Sequence, residues 1–361
     1  MRLIRIPNLE SGIPTTTGVS GKKRYLFRIA IALGFLMLLL MRAGGRTDYT
    51  SANASTLSQA PVVIWRDPGA VELLDFAAGP GGVENRPRSP FVFLKELSNG
   101  TAPKIKVRDA RGREWVVKWG TEVKAENIAT RIAWASGYFV DFTYFVKEGK
   151  IEAVKDLGPA SEFVGPDGIF KEARFELWNG GYVEGQNWSW NENPFVGSRE
   201  LTGLKIVVML TSNWDNKDAR DTFNGPNTAV INHVENGRRE LRYVVDDWGS
   251  TMGKWGPRYF YRDKWNCKAY SEQTAQFITR VKDGVIDWGF AGSRNVSEGI
   301  RVEDVQWSLS YVGRITDGQI KAGLEASGAT PEEVECFSSA IRSRINQMKE
   351  VVRMAASERK V

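Results

Sequence analysis

Between Leu201 and Gly249 two short acidic motifs stand where apolar elements end, and this spacing restricts the fold more than any other stretch of the chain. Ser212-Asn213-Trp214-Asp215-Asn216-Lys217 closes a long apolar run, and Val244-Val245-Asp246-Asp247-Trp248-Gly249 follows a short hairpin. Ser198 is placed to cap a helix running to about Thr211, with Leu201, Leu204, Val207, Val208 and Leu210 apolar on nearly every side. A helix that apolar belongs in the middle of a domain, so Asp215 emerges just beyond a buried helix end. Segments 227–232 and 242–245 flank the turn Glu235-Asn236-Gly237 as two strands that deliver Asp246 and Asp247. A scaffold whose elements end in carboxylates can present them to a metal and to a reacting hydroxyl.

Composition narrows the chemistry. His233 is the only histidine in 361 residues, which removes most Ser-His-Asp triads, histidine-ligated zinc and imidazole acid/base schemes. Acid/base work falls to carboxylates, and His233 itself reads as a strand end before a turn. The net charge of +6 is concentrated at the start. Eight Lys or Arg and two acids lie in the first 50 residues, which leaves 41 basic and 41 acidic residues beyond Thr50. The folded part is neutral, so a nucleic-acid partner is set aside. Cys267 and Cys336 lack metal-ligand spacing and are either buried thiols or one disulfide closing a long loop.

The first segment favours the disulfide, because it directs the chain to a membrane. Lys22-Lys23-Arg24 precedes the apolar run 29–41, which Leu26 and Phe27 extend. The nearest small-residue cleavage pattern, Ala52-Asn53-Ala54, lies well downstream, which favours an uncleaved anchor. The run is shorter than the ~20 residues that span a bilayer, but Arg28 and Arg42 can snorkel at its ends. Basic residues crowd its N-terminal side, so residues 1–24 are expected in the cytoplasm. Residues 25–42 are then a single-pass anchor or signal segment, 43–60 a linker, and the domain lies on the extracytoplasmic side, secreted if the segment is cleaved.

From Pro61 the chain reads as a small β-rich lobe (61–155) followed by a large, mainly helical lobe (156–361). Segments 62–65 and 91–94 are expected strands. Ser98-Asn99-Gly100-Thr101-Ala102-Pro103 is a small-residue turn whose backbone N–H groups could approach phosphate, although most Asn-Gly turns simply join strands. The alternating strand 104–107 returns, through a turn at 109–112, as Trp115-Val116-Val117-Lys118, which ends in a lysine. Segment 122–136 is a helix stopped by Gly137, and Glu122 and Glu126 lie one turn apart on it, each able to reach back to Lys118. Segments 138–146 and 150–154 are expected to form a hairpin around Glu148-Gly149.

Segment 157–194 reads as loop, and its Trp188-Ser189-Trp190-Asn191 either lines a groove or wedges between lobes. The C-terminal part reads as helices at 303–311 and 317–326. A long helix begins at Thr330-Pro331-Glu332-Glu333, with Val334, Phe337, Ile341, Ile345, Met348 and Val352 as its core stripe.

Taken in order, the chain offers a Gly-bearing turn, a strand lysine, a helix glutamate, an apolar helix, Asp-x-Lys, a hairpin and Asp-Trp-Gly. This series resembles the protein-kinase-like superfamily, in particular the atypical branch that includes HipA-type bacterial kinases and secretory-pathway kinases, and suggests a membrane-anchored or exported bacterial family. The resemblance covers about residues 91–253 and implies an α+β, two-lobed kinase-like fold behind an N-terminal membrane segment. It further implies ATP and Mg²⁺ as cofactors and a protein hydroxyl or small envelope molecule as acceptor. By the same resemblance Ser98, Asn99, Gly100 and Thr101 cover the nucleotide phosphates, Lys118 binds them, and Glu126, preferred to Glu122 on spacing, pairs with Lys118. Asp215 orients the acceptor with Lys217 beside it, and Asp247 holds the metal.

One position departs from the pattern. The asparagine expected five residues after the catalytic-loop aspartate is Arg220, which would repel Mg²⁺ or, if turned, offset phosphate charge. Asp218, Asp221 or Asn227 is then the alternative second ligand. An inactive nucleotide-binding or scaffolding pseudokinase tethered to the membrane is the competing expectation. A carboxylate glycan hydrolase using two of Asp215, Asp246 and Asp247 would leave Lys118 and Lys217 unexplained.

Overall fold

Strand alternation in Glu114-Trp115-Val116-Val117-Lys118 sets two faces, and both are covered. Trp115 and Val117 point into a closed barrel, while Val116 and Lys118 on the other face are also buried. The computed structural model describes residues 60–98, 102–178, 180–181, 186–221, 226–256, 262–289 and 294–358. The membrane segment expected at 25–42, with residues 1–24 and most of the linker, lies outside the described residues, as do Asn99, Gly100 and Thr101. No helix among the described residues is long and apolar enough to cross a membrane.

The described chain is α+β. β1 (Val62–Val63) is followed by β2 (Phe91–Leu97), β3 (Lys104–Arg108), β4 (Glu114–Lys118), helix α1 (Glu122–Ala135), β5 (Thr143–Glu152) and β6 (Ile169–Leu177). Helix α2 (Arg199–Thr211), the hairpin β7 (Thr228–Glu235) and β8 (Arg238–Val245), and helix α3 (Cys267–Thr274) come next. A second hairpin, β9 (Ile278–Lys282) and β10 (Val285–Trp288), leads to helices α4 (Val302–Leu309), α5 (Asp317–Ala326) and α6 (Pro331–Glu358). The barrel closes in the order β2-β3-β4-β6-β5, around Trp115, Phe175, Phe170, Phe91 and Trp119. Each fully buried aromatic contributes about 2–3 kcal/mol by area, an upper bound for a chain already partly collapsed when unfolded.

The structure departs from the sequence reading at three places. Segment 157–194 was expected as loop, yet Ile169–Leu177 is the barrel strand between β4 and β5, so the β-rich part extends past residue 155. Glu148-Gly149 makes no hairpin, since β5 runs straight through it and pairs Gly149 with Phe170. A Cβ on Gly149 would stand 2.7 Å from the Phe170 ring, so this glycine serves a close approach within a strand. Finally, β1 joins the large part of the molecule, pairing in parallel with β8 through Val62 and Leu241.

Helix α1 is buried along almost its whole length and packs against β5, β6, α2 and α5. It stops at Gly137, where φ is +91° and a side chain would strike Trp65 and the Arg66 carbonyl. Helix α2 starts as expected, with the Ser198 hydroxyl accepting the Leu201 N–H at 3.1 Å. Its last carbonyls meet a buried cation from α6: Arg344 donates to Leu210 O at 3.0 Å and to the Ser212 hydroxyl at 2.7 Å. Cys267 and Cys336 are joined by a disulfide that ties α3 to α6.

Candidate functional site

Four elements converge on one cluster of charge. Lys118 ends β4, Glu122 and Glu126 sit one turn apart on α1, Arg174 comes from β6, and Asp247 follows β8. The Lys118 amine lies 2.5 Å from Glu122, 3.7 Å from Glu126 and 3.7 Å from Asp247. Arg174 is directly opposite Lys118 on the neighbouring strand, and Lys104 is opposite it on the other side. Like charges facing each other across strands repel, and the carboxylates between them offset that repulsion. Arg174 pairs with Glu126 and, at 2.7 Å, with Glu176. Lys104 makes no ion pair among the described residues, and burial, then the nearby Lys118 and Arg174, lower its amine below the ordinary lysine range.

Asp247 is set by its turn. Its Oδ1 accepts the Gly249 N–H at 2.7 Å, and the Asn213 amide donates to its backbone carbonyl at 3.1 Å. Burial pushes the Asp247 carboxyl up, but Lys118, the Gly249 N–H, Arg174 and Lys104 outweigh it and hold the group below the ordinary aspartate range. Gly249 is required for packing, because a Cβ there would stand 2.9 Å from the Glu122 Cβ.

Asp215 and Lys217 face this cluster from the loop after α2 and pair at 3.3 Å. Burial raises the Asp215 carboxyl, Lys217 lowers it and Asp247 raises it, with a net upward shift. The loop is braced from below. Trp190 donates from its ring to Asn216 O at 3.0 Å and from its backbone to Asp218 at 2.9 Å, and Trp188 donates to Val244 O at 2.9 Å. Both tryptophans are buried, and these partners all follow residue 155, so they brace the Asp215 loop from within one part of the chain.

Arg220 folds back onto Asp218, with its guanidinium 2.8 and 2.7 Å from the two carboxylate oxygens. This contact offsets its charge and occupies Asp218. Asp221 accepts the Asp218 N–H at 2.8 Å. Asn227, by contrast, donates to the Asp215 carbonyl at 2.6 Å and so stands at the site.

Among the described residues no group of three or more His, Cys, Asp or Glu gathers to hold a metal. Mg²⁺ is usually bound by one or two carboxylates together with phosphates and water. Asp247, with its side chain 36% exposed and Asp215 within its field, fits that donor set.

Of the residues expected from the sequence, Lys118, Glu126 and Asp247 are brought together, and Asp215 with Lys217 stands beside them. Ser98 is described and exposed at the end of β2, while the rest of its turn lies outside the described residues. Glu122, second to Glu126 by the resemblance, is the closer partner of Lys118. Arg174 has no place in the sequence reading, because its strand reads as loop there. Its signal was the alternation of Ala173, Phe175 and Leu177 around it.

No family model and no curated protein sequence matches the chain. Among solved structures it is similar to the Golgi casein kinase with Mn and ADP bound, at 10% identity and a TM-score of 0.37 over 73% of each chain. A second structure of the Golgi casein kinase matches at 8% identity and a TM-score of 0.34, over 75% of this chain and 74% of that one. The Rio2 kinase complex with ADP, Mg²⁺ and phosphoaspartate from Chaetomium thermophilum matches at 14% identity and a TM-score of 0.28, over 71% and 72%. At these scores the likeness assigns no residue of this chain a role.

Proposed function

We propose that the cluster binds a nucleoside triphosphate with Mg²⁺ and transfers its terminal phosphoryl group to a hydroxyl, on a protein or a small envelope molecule, within a two-lobed kinase-like fold. The observation that carries this reading is the meeting of Lys118 and Asp247, 3.7 Å apart and delivered by elements far apart in sequence, with the Asp215–Lys217 pair opposite. A lysine for phosphate, a carboxylate for metal and a carboxylate for the acceptor are the parts phosphoryl transfer requires. Asp247, with Asn227 nearby, would hold the metal, which on binding neutralises charge on the phosphates.

This chain's own groups do the rest. Lys118 and Lys104 attract and align the phosphates. Asp215, whose carboxyl burial raises, accepts the acceptor hydroxyl proton more readily than an ordinary aspartate. Lys217 offsets negative charge that develops beside it.

The test is phosphotransfer by the full-length chain given labelled ATP and Mg²⁺, with Asp247→Ala alongside. Transfer that stops in the variant while the fold persists supports the mechanism, and equal transfer would contradict it. Arg220 at the expected asparagine position motivates the inactive alternative. Nucleotide binding without turnover would decide for that pseudokinase.

The basic residues ahead of 25–42 lead us to place the domain across a membrane. A C-terminal reporter active only outside the cytoplasm is the expected result, and one active in the cytoplasm would overturn this placement.

A further inference from the structure

Helix α1 presents two carboxylates to one strand lysine, and the residues around them treat the two differently. Glu126 is almost completely buried, and one of its oxygens meets Arg174. Its other oxygen lies 3.7 Å from Lys118 and lacks a hydrogen-bond partner among the described residues. Glu122 is within hydrogen-bond reach of two amines at once, Lys118 at 2.5 Å and Lys264 at 2.5 Å. Burial pushes the Glu122 carboxyl up and Asp247 adds to this, but Lys118 and Lys264 together outweigh them and hold it below the ordinary glutamate range. The backbone also favours the nearer carboxylate, since Gly249 leaves room for Glu122 and for no side chain of its own. The Thr251 hydroxyl then ties the same turn to the Ala125 carbonyl of α1 at 3.3 Å.

We propose that Glu122, not Glu126, is the carboxylate that positions Lys118 for phosphate, because the buried Arg174 claims Glu126 as a link between α1 and the barrel. Glu122 is thereby a positioning residue shared between the nucleotide lysine and the segment after Asp-Trp-Gly, which contributes Lys264. An arginine on β6 opposite a lysine on β4 accounts for this division, since the guanidinium bridges Glu126 and Glu176 and leaves Glu122 to the lysine. Two cations across adjacent strands each need an anion, and the planar guanidinium, able to bind two oxygens at once, takes the deeper one. The pairing is a property of the folded chain alone. Its use in binding phosphate rests on the phosphotransfer reading above.

Double-mutant cycles on the full-length, nucleotide-free chain test the pairing by urea unfolding. Lys118→Met with Glu122→Gln should show a coupling of at least about tenfold in the unfolding equilibrium constant. Lys118→Met with Glu126→Gln should show about twofold or less. Since Glu126→Gln strands Arg174 and can fail to fold, Glu126→Gln/Arg174→Gln removes both partners and serves as the background for a repeat of that cycle. A larger coupling to Glu126 in either background would overturn the assignment.

A second arm measures ADP affinity with Mg²⁺. Glu122→Gln should weaken it about tenfold and add nothing once Lys118 is Met. The Glu126→Gln/Arg174→Gln protein should lose less affinity than Glu122→Gln, and the reverse ranking would overturn the positioning role. If the wild-type chain binds no nucleotide, the phosphotransfer reading falls, and the unfolding cycles alone decide which glutamate holds Lys118.

Discussion

Lys118 and Arg344 are both buried cations, and they are held in opposite ways. Arg344 lies among carbonyls and hydroxyls at the end of α2, its partners including Leu210 O, Tyr270 O, Thr274 and Ser212, with its guanidinium 3.7 Å above the Tyr270 ring. Burial pushes it down to about 10. Arg131 is also held by carbonyls, donating to those of Phe76 and Asn127, and is likewise pushed down to about 10 by burial. Arg344 completes backbone hydrogen bonding that the end of α2 leaves open, and Arg131 gives the Phe76 carbonyl a donor.

Among the described residues Lys118 completes no backbone group in this way. It has three carboxylates within 3.7 Å, and those can be exchanged for phosphate oxygens without orphaning a peptide group. A buried cation fixed by carbonyls therefore supports the fold, and one surrounded by exchangeable carboxylates marks a place where a ligand can enter.

The comparison breaks if removing charge at the Lys118 cluster costs stability instead of chemistry. The largest effect is expected from Asp247→Ala, which should lower phosphotransfer by about 10²–10³-fold, the scale of losing one preorganised charge, with a near-native circular dichroism spectrum.

Arg344→Met should do the reverse. It should cost about 3 kcal/mol or more in urea unfolding, because several carbonyls and hydroxyls lose a charged donor together, while ADP affinity stays within about twofold.

Lys217→Met sharpens the comparison through pH. Lys217 lowers the Asp215 carboxyl, so its loss should move the acid limb of the phosphotransfer profile to higher pH and reduce the rate at pH 7 about tenfold. An unmoved limb would remove Asp215 from the titrating role.

The smallest effect is in stability. The Glu122 carboxyl sits below its ordinary value, so its stabilising contribution is fully present above the ordinary glutamate range and is lost as pH falls through the folded value. Glu122→Gln should flatten the acid side of the stability profile measured by thermal melting between pH 7 and pH 3.

Much of this could be read in the sequence wherever local pattern and burial agree. Ser198, the apolar run after it and the Asn236-Gly237 turn fixed α2 and the β7–β8 hairpin, and so the exits from which Asp215 and Asp247 emerge. The barrel was legible only in part, because β6 carries a phase shift. Phe170 is buried on one count of two, and Ala173 and Phe175 on the other. Between them Glu172 takes a φ of +47° and breaks the alternation that marks a strand.

With β6 unseen, Arg174 had no place next to Lys118, and the choice between Glu122 and Glu126 rested on spacing along α1 alone. Gly149 misled for a related reason. A glycine that admits a neighbouring ring has the same signature in sequence as a glycine that turns the chain.

The account stands most directly on whether Lys118 and Asp247 together form a nucleotide site. The measurement is the melting temperature of the full-length chain with and without ADP and Mg²⁺, for the wild type and Asp247→Ala. A ligand that binds only the folded chain raises its stability by about 2.7 kcal/mol at a hundredfold excess over its dissociation constant. The account predicts an upward, metal-dependent shift in the wild type that disappears in Asp247→Ala. A wild type unmoved by nucleotide and metal, or a variant that shifts equally, would contradict it.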